Sequence, residues 1–278
     1  MVNHILEYIW IDSQNEFRTK TRIIHNDNIT IDIKNPNFYS SENSEFCELI
    51  PIKSYYRYKE KIQDNYNLYW YVLCQTYSTN NEVQKSNIKT SRDKLKLIGN
   101  PYVFYITCQQ QFYMIPESQI YILKDNAQKQ NERPFYSFTQ TSSSNQNEIS
   151  PFYYSLLNND PCQKEIMEEF IKEASTLSPS INISGFNNET GVNQWNYKVG
   201  PSSIIELCDD LIMTRFLISK IAHNKYFIIN FHPKPLYYKN NPLSRCYFKI
   251  STHLTRQKPT KDDRSVALHH IIGYLDFL

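Results

Sequence analysis

Residues 182–201, NISGFNNETGVNQWNYKVGP, decide the fold that the sequence predicts. Ile183 leads into Gly185, and a polar run follows. Residues 194–199 then alternate between polar and apolar side chains and stop at Gly200-Pro201. Alternation with a period of two is typical of a β-strand, and a polar run with glycine between two such stretches is typical of a turn. The segment therefore predicts a strand, a turn and a second strand.

Size and composition narrow the class of protein. The chain has 278 residues, enough for one large or two modest domains with a hydrophobic core. Its net charge is only +2 and it carries no nucleic-acid-binding motif, so we expect no nucleic-acid partner. No apolar run approaches the ~20 residues of a membrane span, and no signal peptide precedes the first strand pattern. Its six cysteines are scattered without a C-x-x-C pair, which is typical of reduced thiols. We therefore expect a cytoplasmic protein without a membrane partner.

Several other stretches carry clear strand or helix patterns. Alternation on both sides of a turn at 12–15 predicts a β-hairpin from 5–11 and 17–24. Runs of β-branched and aromatic residues predict further strands at 68–75, 102–115 and 226–231. Helical patterns occupy 86–97, 165–177, 203–222 and 266–278, and Asp160-Pro161 is a typical helix start. Residues 124–148 are polar and low in complexity, which predicts a mobile loop.

Five motifs, in order along the chain, resemble the eukaryotic type of glutamine synthetase. Residues 7–12 (EYIWID) and 17–22 (FRTKTR) resemble the start of that family. Residues 182–201 resemble its pattern N-x-E, four or five residues, Q-W-E-[FY]-x-[VI]-G-P. Residues 208–216 (CDDLIMTRF) resemble G-D-x-L-W-M-A-R-Y, and 231–235 (FHPKP) resemble F-D-P-K-P. Each motif is weak alone, but the five in this order are specific.

The resemblance implies an α+β fold in two parts. Residues 1–84 would form an N-terminal β-grasp domain, and 85–278 a truncated catalytic domain with a curved antiparallel sheet and helices on its outer face. Residues 37–41 align with a glycine-rich loop that reaches the neighbouring subunit in the family. The aspartate and both glycines of that loop are absent here. Because a loop without glycine cannot easily adopt positive φ, we expect a different path.

Glutamine synthetases join ammonia to glutamate at the expense of ATP, with two Mg²⁺ or Mn²⁺ ions bound by hard oxygen ligands. Of the family's metal ligands, the resemblance retains Glu189 alone. Three other ligand positions carry amides, at Gln109, Gln111 and Asn196. Aligned on Ser251-Thr252, the family's metal-binding histidine is replaced by Tyr247. The last ligand and later arginines would lie beyond residue 278, so we expect a truncated chain.

These substitutions predict a homologue without catalytic residues and without a bound cofactor. Amide oxygens bind cations weakly when few carboxylates stand beside them. Carboxylates clustered without a metal would repel one another, so their replacement by amides suits a protein that no longer binds one. Mg²⁺ or Mn²⁺ and ATP are expected only if the family reaction, a step of nitrogen metabolism, is retained.

Two alternatives stay open. The chain could act as a non-catalytic subunit or interaction partner of an active glutamine synthetase, as a homo-oligomer or in a hetero-oligomer with a complete subunit. It could instead be an active ligase with another amine or acid as substrate. An active ligase would need new metal ligands. The C-terminal half offers five histidines for this role, His223, His232, His253, His269 and His270.

Overall fold

The computed structural model describes most of the chain, with gaps between the described stretches. These are residues 2–12, 15–25, 38–42, 45–63, 65–78, 104–117, 120–122, 136–138, 160–191, 193–233, 243–252 and 256. They form twelve strands and two helices, which makes the protein a mixed α+β fold as predicted. The predicted helices at 86–97 and 266–278 and the predicted domain boundary near 85 lie outside the described residues.

The first sheet has five strands in the order β2-β1-β5-β4-β3. The strands are β1 (Val2–Ile11), β2 (Phe17–His25), β3 (Phe38–Glu42), β4 (Glu45–Ile62) and β5 (Asn65–Ser78). β1 and β2 form the predicted antiparallel hairpin, and β5 contains the predicted strand at 68–75. β1 and β5 run parallel, whereas the other pairs are antiparallel. Whether this sheet is a β-grasp domain stays a prediction.

Residues 38–42, which overlap the stretch aligned with the family's glycine-rich loop, form the edge strand β3. It pairs with the start of β4, from Phe38 opposite Leu49 to Glu42 opposite Glu45. The physical reason is local: without glycine, a run of aromatic and hydroxyl residues has good strand propensity. The absence of glycine, which disfavours the family's loop conformation, therefore also favours strand pairing here.

The second sheet has β6 at its centre. Its strands are β6 (Phe104–Pro116), β9 (Ile183–Asn188), β10 (Gln194–Ser202), β11 (Phe227–Asn230) and β12 (Cys246–Thr252). β6 pairs with β10 on one side and with β11 and β12 on the other, all antiparallel, and β10 also pairs with β9. These strands confirm the predicted strand, turn and strand of residues 182–201. They also confirm the strands predicted at 102–115 and 226–231.

A short two-stranded sheet corrects the mobile loop predicted at 124–148. Within that stretch, β8 (Tyr136–Phe138) pairs antiparallel with β7 (Ile120–Ile122). Two aromatic residues interrupt the polar run at this point and raise its strand propensity. The rest of 124–148 lies outside the described residues.

Both helices begin where the sequence predicts. In α1 (Pro161–Thr176), the Asp160 carboxylate accepts a hydrogen bond from the backbone N of Cys162 at 2.9 Å, and a proline occupies the first turn. In α2 (Ile204–Asn224), the Ser203 hydroxyl accepts from the backbone N of Glu206 at 3.4 Å. Neither helix of the described part of the chain is long and apolar enough to cross a membrane.

The helices cover one face of the second sheet and join it to the first. α2 packs against β6, β10 and β11, and α1 packs against α2 and β9. One core cluster includes fully buried residues of both sheets and both helices, among them Ile9, Tyr55, Leu73, Phe112, Met114, Phe170, Tyr197 and Leu217. Asp210 of α2 adds polar contacts to the first sheet: its Oδ1 lies 2.6 Å from Lys53 Nζ and 2.9 Å from the Tyr55 hydroxyl. The two sheets therefore share one core.

Phe170 gives a test of this core. Its ring is fully buried and packs edge to face against Tyr197, with ring centroids 5.1 Å apart. We expect Phe170→Ala to lower the free energy of unfolding by about 3–5 kcal/mol, since it removes a buried ring and leaves a cavity. Urea unfolding followed by circular dichroism measures this. Phe248→Ala removes a ring that is 56% exposed, and should change stability by about 0.5 kcal/mol or less. Equal losses in the two variants would contradict the assigned core.

Candidate functional site

The two faces of β6 carry different side chains. Cys108, Phe112 and Met114 belong to the core beneath the helices. Because successive side chains of a strand point to opposite faces, Gln109 and Gln111 lie on the other face, here called the open face. Three consecutive glutamines, at 109–111, thus divide between a helix-covered and an open side.

Strand register brings the predicted metal positions together on the open face. Asn196 of β10 lies opposite Gln111, and Tyr247 of β12 lies opposite Gln109. Residues directly opposite each other in an antiparallel pair share a face of the sheet. Glu189 follows the end of β9 and hydrogen-bonds to Asn196. We call these five residues the Glu189 cluster.

Glu189 is the hydrogen-bonded centre of the cluster. Asn196 Nδ2 donates to Glu189 Oε1 at 2.7 Å, and Gln109 Nε2 donates to the same oxygen at a longer 3.5 Å. Glu189 is 9% exposed and Asn196 2% exposed. A carboxylate this buried requires hydrogen-bond donors to offset its loss of hydration. The amide of Asn196 therefore stabilises the carboxylate that the resemblance identifies as a metal ligand.

Gln111 bonds in another direction. Its Oε1 accepts from the backbone N of Arg245 at 3.0 Å, and its own backbone N donates to the Arg245 carbonyl at 2.9 Å. Both contacts tie β6 to the residue just before β12. The side-chain oxygen of Gln111 is consequently engaged with the backbone of Arg245.

Asn196 retains one acceptor. Its Oδ1 is buried and has no hydrogen-bond partner among the described residues. Native proteins satisfy most buried polar atoms, so an exception of this kind marks a position where a donor would be stabilising. Because Nδ2 of Asn196 donates to Glu189, Oδ1 is the side-chain atom of Asn196 that can still accept a hydrogen bond.

Lys198 also belongs to the open face, and the sequence predictions missed it. It lies opposite Gln109, where cross-strand Cβ atoms are about 4.5–5.5 Å apart. The alternation of residues 194–199 was the available signal, since it places Lys198 on the same face as Asn196. The family pattern allows any residue at position 198, so the pattern does not mark Lys198 as a site residue. Its ammonium adds a positive charge beside the Glu189 cluster.

On the helix-covered side, polar contacts hold β6 and β10 in place. The Trp195 indole N–H donates to Gln163 Oε1 at 2.9 Å, and Gln163 Nε2 donates to the Met114 carbonyl at 3.0 Å. Arg215 of α2 donates to Gln110 Oε1 through Nε at 3.1 Å and also through Nη2. Trp195, part of the motif in residues 182–201, therefore has a structural role in this chain.

Gly200 is required by its surroundings. Its φ is +97°, and a Cβ placed there would lie 2.6 Å from the carbonyl oxygen of Ile106. Only glycine meets both constraints, because any side chain would clash with the β6 backbone and strain its own. The glycine therefore fixes how closely the end of β10 approaches β6.

The described residues define a class: a mixed α+β protein in which an antiparallel sheet carries helices on one face and a cluster of amides around one carboxylate on the other. Residues 106–273 match the family model described as glutamine synthetase, catalytic domain. The chain belongs to the glutamine synthetase family, as a divergent member. This match spans all five positions of the Glu189 cluster.

Three known glutamine synthetases are similar to this chain over different lengths. The chain is 26% identical over 257 residues to that of Yarrowia lipolytica, covering 91% of this chain and 65% of that protein. It is 40% identical over 106 residues to that of Schizosaccharomyces pombe, covering 38% of this chain and 29% of that protein. For Emericella nidulans the identity is 24% over 239 residues, with 83% and 60% covered. The chain spans less than two thirds of each of these relatives.

Asn196→Asp tests the hydrogen bond at the centre of the cluster. The change replaces a donor by a second carboxylate next to buried Glu189. Like charges repel, so stability should fall by about 3 kcal/mol at pH 8. The loss should be smaller at pH 5, because the folded pair then retains more protons than the unfolded chain. Urea unfolding at both pH values measures it.

Asn182→Asp is the matched control for this change. Residue 182 is exposed, so the same substitution there should leave stability nearly unchanged at both pH values. If Asn196→Asp were as mild as Asn182→Asp at pH 8, the proposed contact between the amide and Glu189 would be wrong.

Proposed function

We propose that this chain is a glutamine synthetase homologue that does not catalyse the ligation of ammonia to glutamate. In this proposal Glu189 is the retained family metal ligand, and Gln109, Gln111, Asn196 and Tyr247 are substituted metal positions. The observation that carries the proposal is the hydrogen bond from Asn196 to Glu189. It places an N–H donor where a second ligand oxygen would be needed.

The charge of the cluster supports this proposal. Two divalent ions bring four positive charges, which hard anionic oxygens normally balance. Among the five residues of the cluster, Glu189 alone is a carboxylate, and Lys198 beside Gln109 adds a positive charge. The cluster and Lys198 together are close to neutral. Divalent cations would gain little there in exchange for their hydration shells.

The directions of the amide hydrogen bonds also support the proposed loss of catalysis. Asn196 Nδ2 and Gln109 Nε2 both point to Glu189 Oε1, and Gln111 Oε1 accepts from the Arg245 backbone. A metal ion would have to displace these contacts and turn the amides around. The residues present do not fit a magnesium- or manganese-ATP centre.

The same substitutions are favourable for a protein without metal. Several glutamates gathered around Glu189 would repel one another and raise the cost of folding at neutral pH. Amides keep hydrogen-bonding capacity and remove the charge. Loss of the reaction and a stable fold are therefore compatible in this chain.

Restoring the carboxylates tests the proposal. We expect 1 mM Mn²⁺ to stabilise the unmutated chain by no more than about 0.4 kcal/mol, the value for a dissociation constant near 1 mM. The variant Gln109→Glu, Gln111→Glu, Asn196→Glu and Tyr247→His should be less stable in a chelator. With 1 mM Mn²⁺ the stability of this variant should rise by about 2–3 kcal/mol, the value for a dissociation constant about a hundredfold below the metal concentration. Thermal unfolding with and without Mn²⁺ gives both values.

A control variant with Asn182→Glu and Ser184→Glu adds carboxylates at exposed positions and should show no gain with Mn²⁺. Phosphate release from ATP by the unmutated chain, dependent on glutamate and ammonium, would overturn the proposal. Stabilisation of the unmutated chain by ATP with Mn²⁺, without that reaction, would instead favour a ligase with another substrate.

An interaction role is the second candidate. Three apolar side chains in or just before β12 are exposed, with exposed fractions of 42% for Leu243, 40% for Tyr247 and 56% for Phe248. Tyr247 lies on the open face and Phe248 on the helix-covered side, so β12 exposes apolar groups on both faces. Exposed apolar surface is typical of protein interfaces. These side chains support a homo-oligomer, or a hetero-oligomer with a complete glutamine synthetase subunit.

Light scattering after size exclusion tests the interaction role. We expect the unmutated chain to form an assembly, alone or with a glutamine synthetase from the same cell, and Phe248→Ser to weaken it. Ile62→Ser, which changes a 47% exposed residue of β4, is the control and should leave the assembly unchanged. A monomer that does not associate with that enzyme would rule this role out.

A further inference from the structure

Two cysteines of neighbouring strands touch on the helix-covered side of the second sheet. The Sγ atoms of Cys108 (β6) and Cys246 (β12) are 3.1 Å apart, and both residues are free thiols. Cys108 is fully buried, whereas Cys246 is exposed. The sulfur atoms are therefore in contact, and a reagent in solution can reach only one residue of the pair directly.

A cation from α2 stands beside this pair. Arg215 hydrogen-bonds to Gln110, the residue opposite Cys246 in the strand register. The hydrogen bond from Cys108, together with Arg215, lowers the pKa of the Cys246 thiol to about 7. The same hydrogen bond, together with burial, raises the pKa of Cys108. A lowered pKa favours the thiolate, the form that reacts with oxidants.

We propose that Cys246 and Cys108 form a redox-active dithiol, in which exposed Cys246 reacts with a small disulfide and buried Cys108 closes an intramolecular disulfide. This proposal is independent of whether the chain has ligase activity. It rests on the contact between the two sulfur atoms, on the difference in their exposure and on the position of Arg215.

The chemistry has two exchange steps. The Cys246 thiolate attacks one sulfur of a disulfide such as oxidised glutathione, forms a mixed disulfide and expels one glutathione thiolate. Cys108 then attacks Cys246 Sγ, and its proton passes to the second glutathione thiolate as that thiolate leaves. The two expelled thiolates take up protons, so two protein thiols become one disulfide and oxidised glutathione becomes two reduced molecules.

The strand register makes this disulfide a reversible one. Cys108 lies opposite Phe248, and Cys246 lies opposite Gln110, so the two cysteines are diagonal neighbours. Diagonal Cα atoms are about 7–8 Å apart, beyond the usual 4.4–6.8 Å of a disulfide. Closure must therefore pull Cys246, the first residue of β12, towards β6. A bridge under this strain is more easily reduced than a structural disulfide.

The movement would reach the open face. Tyr247 follows Cys246 directly, and Arg245 before it holds Gln111 through two hydrogen bonds. Displacement of the start of β12 must therefore alter the contacts of Gln111 and the position of Tyr247. Oxidation on the helix-covered side would in this way rearrange the Glu189 cluster.

The experiment compares thiols of the intact chain. Native alkylation with iodoacetamide across pH, followed by peptide mass spectrometry, should give half-maximal reaction of Cys246 near pH 7. Cys162, whose pKa is raised by burial, should reach this only at a higher pH than Cys246. Incubation with oxidised glutathione should yield a peptide pair joined through Cys108 and Cys246, which excess reduced glutathione reverses.

Variants separate the two steps. Cys108→Ala should accumulate a glutathione adduct on Cys246, because no resolving thiol remains, whereas Cys162→Ala should form the disulfide as the unmutated chain does. The alkylation profile of the unmutated chain keeps the test valid if Cys108→Ala is unstable. A persistent glutathione adduct on Cys246 of the unmutated chain would overturn the proposal. A disulfide that includes Cys208, or alkylation of Cys162 as fast as Cys246, would also overturn it.

Discussion

The pairing of β6 with β10 is the constraint on which the rest of the structure depends. On the helix-covered face it aligns Phe112 and Tyr197 with the buried faces of α1 and α2. On the open face it sets Asn196 opposite Gln111 and brings its amide to Glu189. Both faces depend on one register, because a slip by one residue would exchange core and open-face side chains.

The Glu189 cluster illustrates how a buried charge constrains the side chains around it. A buried carboxylate needs either a cation or hydrogen-bond donors to be stable. In this chain the nearest contact is the amide of Asn196 at 2.7 Å, with Lys198 on the same face. The thiol pair on the opposite side of the sheet follows the same rule, since the hydrogen bond from Cys108, together with Arg215, favours the charged form of Cys246. β10, β6 and β12 are neighbours in one sheet, so their polar contacts connect the Glu189 cluster on the open face with the thiol pair on the helix-covered side.

The sequence predicted several of the long elements because their signals are local, but it did not predict β4, the longest strand, or β12. The hairpin of β1 and β2 and the caps at Asp160 and Ser203 follow from alternation and side-chain chemistry within a few residues. The short strands β3 and β8 were missed because five- and three-residue strands depend on a partner elsewhere in the chain. Lys198 was missed because motif matching gave no weight to a variable position.

By itself, the sequence determined the family and the residue type at each position of the Glu189 cluster, since motifs and their order are written in the chain. The tertiary structure alone decided which of these residues touch. Asn196 donates to Glu189, and Lys198 stands opposite Gln109, only because β9, β10 and β6 pair in one register. Cys108 and Cys246 are 138 positions apart and meet because β12 returns to β6. Contacts between distant residues depend on how strands pair, and pairing is settled by burial of the whole core rather than by any local pattern.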